Sequence, residues 1–305
     1  MTRREPRDRA ASIKARLLAY AKANGEDFNQ VLVRFATDRL LYRLAESPHK
    51  DRFVLKGAML FLGWIGALHR PTRDADLLAR TQNDEHQIAL IFRDLCKESA
   101  ADDGLIFVPD SVSVTEIRDE TDYGGQRVEL VARLGTAEIH LQVDIGFGDA
   151  ITPGPQTVEL PALLGLPPAR LIGYPRETVI AEKLEAMVKF GRANSRMKDF
   201  YDLVELARRF AFDGDALRSA VEATFTRRGT PVPVGPPVAL TEEFAADKSK
   251  QAQWRAFLRR SDLASSGLAL PEVLREIGEF AGPLLETVAA GRPFTGRWPN
   301  GGPWR

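Results

Sequence analysis

The chain has 305 residues, 44% of them hydrophobic, and its 42 basic and 42 acidic residues give a formal net charge of zero. This length is enough for one or two domains, and the neutral balance lacks the basic excess of a typical nucleic-acid-binding protein. A single cysteine, Cys96, excludes an intramolecular disulfide and disfavours a cysteine-based zinc site. The polar N-terminus and the lack of an apolar run of about twenty residues predict a cytoplasmic protein without a membrane span.

The first third of the chain mixes helices with a strand. Apolar residues at helical spacing predict one helix that ends near residue 25 and a second over 27–44. From Phe53 a short buried strand enters a turn at 56–58, and an apolar helix follows over 59–67. The pattern therefore places a strand–turn–helix unit after two helices.

Strands dominate the next stretch. A short strand with alternating acidic positions is predicted over 74–78, and an amphipathic helix over 85–99. Three strands rich in Val, Ile and Leu follow over 111–118, 126–133 and 138–146. These strands predict a mixed or antiparallel sheet.

The remainder of the chain is predicted to be helical. Residues 152–175 are rich in Pro and Gly and form a candidate linker. The predicted helices after it cover 177–190, 197–210, 214–227, 241–260 and 270–289. The fold class is therefore expected to be α+β, with a sheet-containing core over 1–175, a helical domain over 176–290 and a flexible tail over 291–305.

Three aspartates occupy polar positions of the predicted strands. Asp74 and Asp76 are two residues apart and project to one face, while Asp144 shares the polar face of another strand with His140 and Gln142. Neighbouring carboxylates repel one another, and a magnesium ion, which prefers hard oxygen ligands, cancels that repulsion. Three such carboxylates can hold two ions that clamp the attacking and leaving oxygens of a phosphoryl displacement. Taken alone, however, D-x-D is more often a solvated strand face than a metal site.

A turn with one glycine precedes the acidic strand. Gly57 permits a tight turn, and backbone N–H groups at the start of the next helix can receive phosphate. The stretch Lys56-Gly57-Ala58 matches neither G-x-x-x-x-G-K-[ST] nor G-x-G-x-x-G, which excludes the P-loop and the dinucleotide-binding fingerprint. The turn and the acids together favour a site for phosphate groups and a divalent metal.

Four blocks, in order, resemble the nucleotidyltransferases of the AbiEii/AbiGii toxin family. That family has a lysine and two glycines before a helix, then R-x-[ST]-x-D-x-D, and two later blocks. The likeness extends over about residues 10–210. The matching blocks are Phe53–Leu62, Arg70–Leu77, Val143–Asp149 and Glu177–Leu184, the last continued by Arg196–Leu203.

The resemblance implies a polymerase-beta-like nucleotidyltransferase core and a nucleotidyl transfer that uses a nucleoside triphosphate with Mg²⁺ or Mn²⁺. Family members are toxins of two-gene toxin–antitoxin or phage-defence systems, and a neighbouring antitoxin protein blocks each of them. Some family members add nucleotides to the tRNA 3′ end. The chain is therefore expected to act on RNA and to have a cognate antitoxin as its partner.

The resemblance also assigns roles to individual residues. Asp74 and Asp76 would be metal ligands, with Asp144 as the third acid. Thr72 would supply a hydroxyl to the nucleotide pocket, and Lys183 would pair with triphosphate oxygens. The expected catalytic residues are Asp74, Asp76, Asp144, Lys183 and Asp199, and the expected nucleotide-binding residues are Lys56, Gly57, Ala58, Arg70, Thr72 and Lys183.

Several of these residues also have plainer interpretations. Arg70 can contact phosphate or can brace the acidic strand, since its planar fork suits both roles. Lys183 can be a solvated lysine paired with Glu182 or Glu185. Asp199 can simply favour the positive end of a helix dipole.

The chain departs from the family pattern in the turn after the first strand. Ala58 replaces the second glycine, and Met59 replaces a small hydroxyl residue. The leading hypothesis is transfer of a nucleoside monophosphate to an RNA acceptor, the tRNA 3′ end. One alternative keeps the chemistry but has a protein or a small molecule as acceptor. The other, motivated by Ala58 and Met59, is a non-catalytic RNA- or partner-binding protein with a degenerate nucleotide pocket.

Overall fold

The computed structural model describes residues 6–98, 103–117 and 124–305. These residues form two compact units, which we call unit 1 and unit 2. Unit 1 comprises the described residues up to Gly148 together with Gln156–Gly173, and unit 2 comprises Asp149–Pro155 and Tyr174–Arg305.

Unit 1 is an α+β unit. The helices that begin at Phe28 and Glu85 each follow an aspartate, because Asp27 and Asp84 accept the backbone N–H groups of Gln30 and Gln87. The helices and strands of unit 1 are α1 (Pro6–Asn24), α2 (Phe28–Glu46), β1 (Phe53–Lys56), α3 (Met59–Ile65), β2 (Asp74–Ala79), α4 (Glu85–Lys97), β3 (Leu105–Ile117), β4 (Gly125–Leu134), β5 (Ala137–Phe147), β6 (Gln156–Leu160) and β7 (Ala169–Gly173).

The seven strands form one mixed sheet in the order β3-β4-β5-β2-β1-β7-β6. β2 runs parallel to β5 and antiparallel to β1, so the short acidic strand lies in the middle of the sheet. In β5, Ile139, Leu141 and Val143 are buried and alternate with partly exposed polar residues, as the sequence predicts. The α+β fold class and the mixed sheet are thus confirmed.

The stretch predicted as a linker over 152–175 carries two strands instead. β6 pairs with β7 in an antiparallel hairpin, and β7 pairs with β1 in parallel, so the hairpin completes one edge of the sheet. The prediction was wrong because each strand has only five residues and the prolines and glycines between them hide the alternation. Residue 118, the last of another predicted strand, lies outside the described residues.

Unit 2 is mainly helical, as the sequence predicts. The single helix expected over 241–260 is divided at Asp247, whose side chain accepts the N–H groups of Ser249 and Lys250 and begins a new helix. The elements of unit 2 are α5 (Arg176–Phe190), α6 (Met197–Arg209), β8 (Phe212–Asp213), α7 (Gly214–Arg228), α8 (Glu242–Ala246), α9 (Lys248–Arg260), α10 (Leu270–Ala289) and β9 (Arg297–Trp298).

The last residues, 291–305, are predicted to form a flexible or loosely docked tail, and two tryptophans dock them in unit 2. Trp298 is buried and donates its indole N–H to the carbonyl of Ala207 at 2.7 Å, and Trp304 donates to the carbonyl of Phe280 at 2.8 Å. Two tryptophans offer large apolar surfaces and one donor each, which is enough to dock a short segment that lacks helical periodicity. Within the described residues, no helix is long and apolar enough to cross a membrane.

Candidate active site

Three carboxylates meet on one face of the unit 1 sheet. Asp74 and Asp76 belong to β2 and Asp144 belongs to β5, and all three are partly exposed. One oxygen from each of them can be chosen so that these oxygens all lie within 4.8 Å of one another. We call this group the acidic triad. Its close oxygens suit a divalent ion such as Mg²⁺ or Mn²⁺.

The sheet register produces the triad and surrounds it with basic residues. Asp76 is the Cα partner of Asp144 in β5 and of Lys56 in β1, while Asp144 is the partner of Arg127 in β4. Directly paired residues project to the same face of a sheet. The row across four strands is therefore arginine, aspartate, aspartate, lysine.

Asp144 is held by two neighbouring side chains. Arg127 donates from Nε to Oδ1 and from Nη2 to Oδ2 of Asp144, both at 2.9 Å, and Gln142 donates to Oδ1 at 3.1 Å. The hydrogen bonds to Asp144 raise the pKa of the Arg127 guanidinium above its usual value. This two-pronged ion pair fixes the orientation of the third carboxylate.

Asp74 is held by the predicted pocket hydroxyl. The Oγ1 of Thr72 donates to Oδ1 of Asp74 at 2.8 Å and lies 3.2 Å from its carbonyl oxygen. In this structure Thr72 therefore orients a carboxylate of the triad.

Gly57 makes the closest approach to the triad from the preceding turn. Its φ is +73°, and a Cβ built at this position would lie 1.9 Å from Oδ2 and 2.7 Å from Cγ of Asp76. A glycine is therefore required for its conformation and also for space. This contact links the turn at 56–58 to the metal-binding strand.

The two residues that depart from the family pattern face the core. Ala58 and Met59 are 3% and 2% exposed, respectively. Their side chains are therefore packed inside unit 1. Arg70, expected at phosphate or as a brace, is buried and donates a long hydrogen bond of 3.4 Å to the carbonyl of Pro71. His140 is exposed on the polar face of β5.

Lys183 and Asp199 meet in unit 2. The Lys183 ammonium on α5 donates to Oδ1 of Asp199 and to Oδ2 of Asp202 on α6, each at 2.7 Å. Arg196 donates to the other oxygen of Asp199, also at 2.7 Å. Burial raises the pKa of the Asp199 carboxyl, but the charges of Lys183 and Arg196 outweigh it and hold that pKa below its ordinary value.

Glu182 and Glu185, the alternative partners predicted for Lys183, belong to another cluster of unit 2. Arg228, near the end of α7, lies 2.9 Å from Asp149, 3.0 Å from Glu182 and 2.9 Å from Glu185. Asp149 and Glu182 are part of the sequence blocks quoted above. The cluster ties the loop after β5 and two helices together, which gives these acids a structural role.

Sequence reasoning missed Arg127 and Arg228 and gave little weight to Asp202. No motif marks them, because their roles depend on which strand or helix lies beside them. Arg127 occupies a polar position of its strand, so alternation places it on a solvent face. Only the register of β4 against β5 brings it opposite Asp144.

A family model described as nucleotidyl transferase AbiEii toxin, type IV TA system, matches residues 39–275, well over half of the chain. The chain belongs to the AbiEii toxin family. It is therefore a nucleotidyltransferase toxin of a toxin–antitoxin system, and an antitoxin is its implied partner. The matched span contains the acidic triad as well as Lys183 and Asp199.

Two solved structures from Helicobacter pylori are similar to the chain. One is JHP933, at 17% identity, covering 84% of this chain and 89% of the other with a TM-score of 0.46. The second is described as a candidate nucleotidyltransferase, at 17% identity, with 84% and 92% coverage and the same TM-score. No curated protein matches the sequence. The family assignment rests on the family model alone.

Proposed function

We propose that this AbiEii-family chain transfers a nucleoside monophosphate from a nucleoside triphosphate to the 3′ end of an RNA, with tRNA as the acceptor, and that a cognate antitoxin neutralises it. One observation carries the chemical part of the proposal. Oxygens of Asp74, Asp76 and Asp144 all lie within 4.8 Å of one another. Such a set fits one or two divalent ions, which when bound supply charge neutralisation for an in-line phosphoryl displacement.

The protein's own groups would perform the positioning. Asp74 and Asp76 would be ligands, with Thr72 orienting the first of them and Gly57 leaving room for the second. Asp144 would be the third acid. Family likeness assigns Lys56–Ala58, Arg70 and Lys183 to the nucleotide. Asp199 and Asp202 would hold the Lys183 ammonium in one position for the triphosphate oxygens.

Labelled nucleotides test the proposal directly. Purified protein would be incubated with total tRNA, Mg²⁺ and each labelled nucleoside triphosphate in turn, beside the variants Asp76→Asn and Glu138→Gln. Glu138 is an exposed carboxylate on β5, the strand of Asp144, but lies outside the triad. We expect label on RNA with wild type and Glu138→Gln and at least about a hundredfold less with Asp76→Asn.

Other outcomes separate the rival functions. Label on protein from a whole-cell extract, and none on RNA, would assign a protein acceptor. The absence of label with every nucleotide and acceptor, together with undetectable nucleotide binding by calorimetry, would favour the non-catalytic interpretation. Full transfer by Asp76→Asn would refute the metal mechanism itself.

A further inference from the structure

Arg127 lies beside the acidic triad, but the proposed reaction assigns it no role. It lies on β4, its side chain is 39% exposed, and its guanidinium donates a hydrogen bond to each oxygen of Asp144. Neither the D-x-D stretch nor the other quoted sequence blocks include it. Its position directly beside three carboxylates gives it an electrostatic effect on whatever they bind.

The hydrogen-bond capacity of Asp144 is nearly filled by described donors. A carboxylate offers about four lone-pair sites, two on each oxygen. Oδ1 accepts from Nε of Arg127 and from Gln142, and Oδ2 accepts from Nη2 of Arg127. One site on Oδ2 is left, so Asp144 can offer a single oxygen to an ion while Arg127 stays in place.

The guanidinium also acts through its charge. Its surroundings include Asp74 and Glu129 as well as Asp144, so it offsets part of the repulsion within the triad. The same positive charge repels an incoming divalent cation. In the metal-free protein the guanidinium stabilises the triad. When a metal ion approaches, the guanidinium competes with it for the carboxylate of Asp144.

We propose that Arg127 is a built-in counter-ion of the acidic triad, which keeps the affinity for a bare divalent ion low by holding Asp144 with both prongs of its fork. The inference rests on the proposed function, since it takes the triad to be a metal site. Arg127 is a positioning residue in this scheme. A consequence is that the ion binds best when the negative triphosphate accompanies it and compensates the guanidinium.

Binding of Mn²⁺ alone tests the proposal without reference to activity. Free Mn²⁺ would be titrated with protein and followed by electron paramagnetic resonance for wild type, Arg127→Gln, Arg133→Gln and Asp76→Asn. Arg133 is the matched control, because it also lies on β4 and pairs with an acid of β5, Glu138, away from the triad. We expect Arg127→Gln to bind Mn²⁺ about tenfold more tightly than wild type, and Arg133→Gln to match wild type.

The outcomes separate this inference from the function beneath it. Unchanged or weaker Mn²⁺ binding by Arg127→Gln, with binding still lost in Asp76→Asn, would overturn the inference alone. Equal Mn²⁺ binding by Arg127→Gln with and without the additional change Asp76→Asn would remove the metal site and with it the proposed function. If Arg127→Gln does not fold, as judged by circular dichroism, Arg127→Met replaces it. Methionine has neither the charge nor the N–H donors, so tighter binding is again expected, and wild-type affinity would overturn the inference.

Discussion

Gly57 and Gly66 lie before and after the same short helix, α3, and both have positive φ angles, of +73° and +74°. An alanine at either position would carry a conformational strain of about 1 kcal/mol. They differ in their surroundings, because a Cβ at Gly57 would collide with Asp76 whereas a Cβ at Gly66 would meet nothing within 4 Å. The pair therefore separates backbone strain from displacement of the acid.

We expect Gly57→Ala to lower the transfer rate by about 100-fold, because a shift of about 1 Å in a reacting group has that effect. Gly66→Ala should lower the melting temperature about as much as Gly57→Ala does, but it should retain activity. Thermal melts and labelled-nucleotide assays of both variants provide the measurement. Equal activity in the two variants would contradict the assigned contact between Gly57 and Asp76.

A second residue-scale prediction concerns Thr72. Thr72→Val removes the hydrogen bond to Asp74, and a bond to a charged group is worth about 1.5–3 kcal/mol. We expect the rate to fall at least roughly tenfold, and Thr72→Ser, which keeps the hydroxyl, to retain most of it. Rates under single-turnover conditions would decide. A loss in Thr72→Ser equal to that in Thr72→Val would show that the methyl group, and not the hydroxyl, matters.

For individual residues, the sequence predicted the positions of the acids better than the positions of the groups that hold them. Asp74 and Asp76 share a face by simple alternation, and that geometry follows from the strand itself. The position of Arg127 beside Asp144 could not be predicted from one strand alone. It depends on the register between β4 and β5, which follows from the turn at 135–136 and from long-range pairing. The contact between Gly57 and Asp76 likewise requires β1 to lie antiparallel to β2.

Between helices, the ion pairs of α5 and α6 are the feature with the clearest energetic consequence. Lys183 is 13% exposed and its partners Asp199 and Asp202 are 4% and 1% exposed at their side chains. Breaking a buried pair leaves an uncompensated charge, which destabilises a protein by about 3–5 kcal/mol. The pairs therefore fix how these two helices pack, whatever else Lys183 binds.

We expect Asp199→Asn to lower the free energy of unfolding by about 3 kcal/mol at neutral pH. The folded-state pKa of Asp199 is below its ordinary value, so its stabilisation is present above about pH 4 and is lost as the pH falls through the lowered value. The difference between wild type and variant should therefore shrink in acid. Urea unfolding at several pH values would measure it, with the exposed Asp215→Asn as control. A pH-independent difference would contradict the assignment.

The elements that sequence analysis misplaced are the ones stabilised by tertiary contacts. The β6–β7 hairpin has short strands, and its pairing with β1 supplies what local propensity lacks. The segment 291–305 has no periodicity, and Trp298 and Trp304 dock it through contacts with residues far away in sequence. Long amphipathic helices such as α4 and α10 were predictable because their apolar faces repeat within the element.

The stability of the whole molecule depends on pH through a buried acid, whose charged form opposes folding at high pH. Asp38 on α2 is 4% exposed, and burial raises the pKa of its carboxyl to about 7 despite the attraction of Arg34 and Arg39. A raised pKa means that the folded state binds the proton more tightly. Its contribution is therefore fully present below about pH 4 and is lost as the pH rises through about 7.

We expect Asp38→Asn to raise the melting temperature at pH 8 by several degrees and to have little effect near pH 4, because the amide mimics the protonated acid. The control is Glu46→Gln at the exposed end of the same helix, which should leave the melting temperature unchanged at both pH values. Differential scanning calorimetry at both pH values would measure the shift. A fall in the melting temperature of Asp38→Asn at pH 8 would mean that the Asp38 charge is well compensated by Arg34 and Arg39.

The parallel pairing of β2 with β5 has a consequence for how the toxin is made. Asp76 and Asp144 are partners in the sheet but stand 68 residues apart in the chain, and β1 finds its second neighbour only at Gly173. Contacts of such long sequence separation form late, because the intervening chain must first exist and be closed into a loop. A ribosome that translates this chain therefore cannot present the complete acidic triad until β5 has been synthesised.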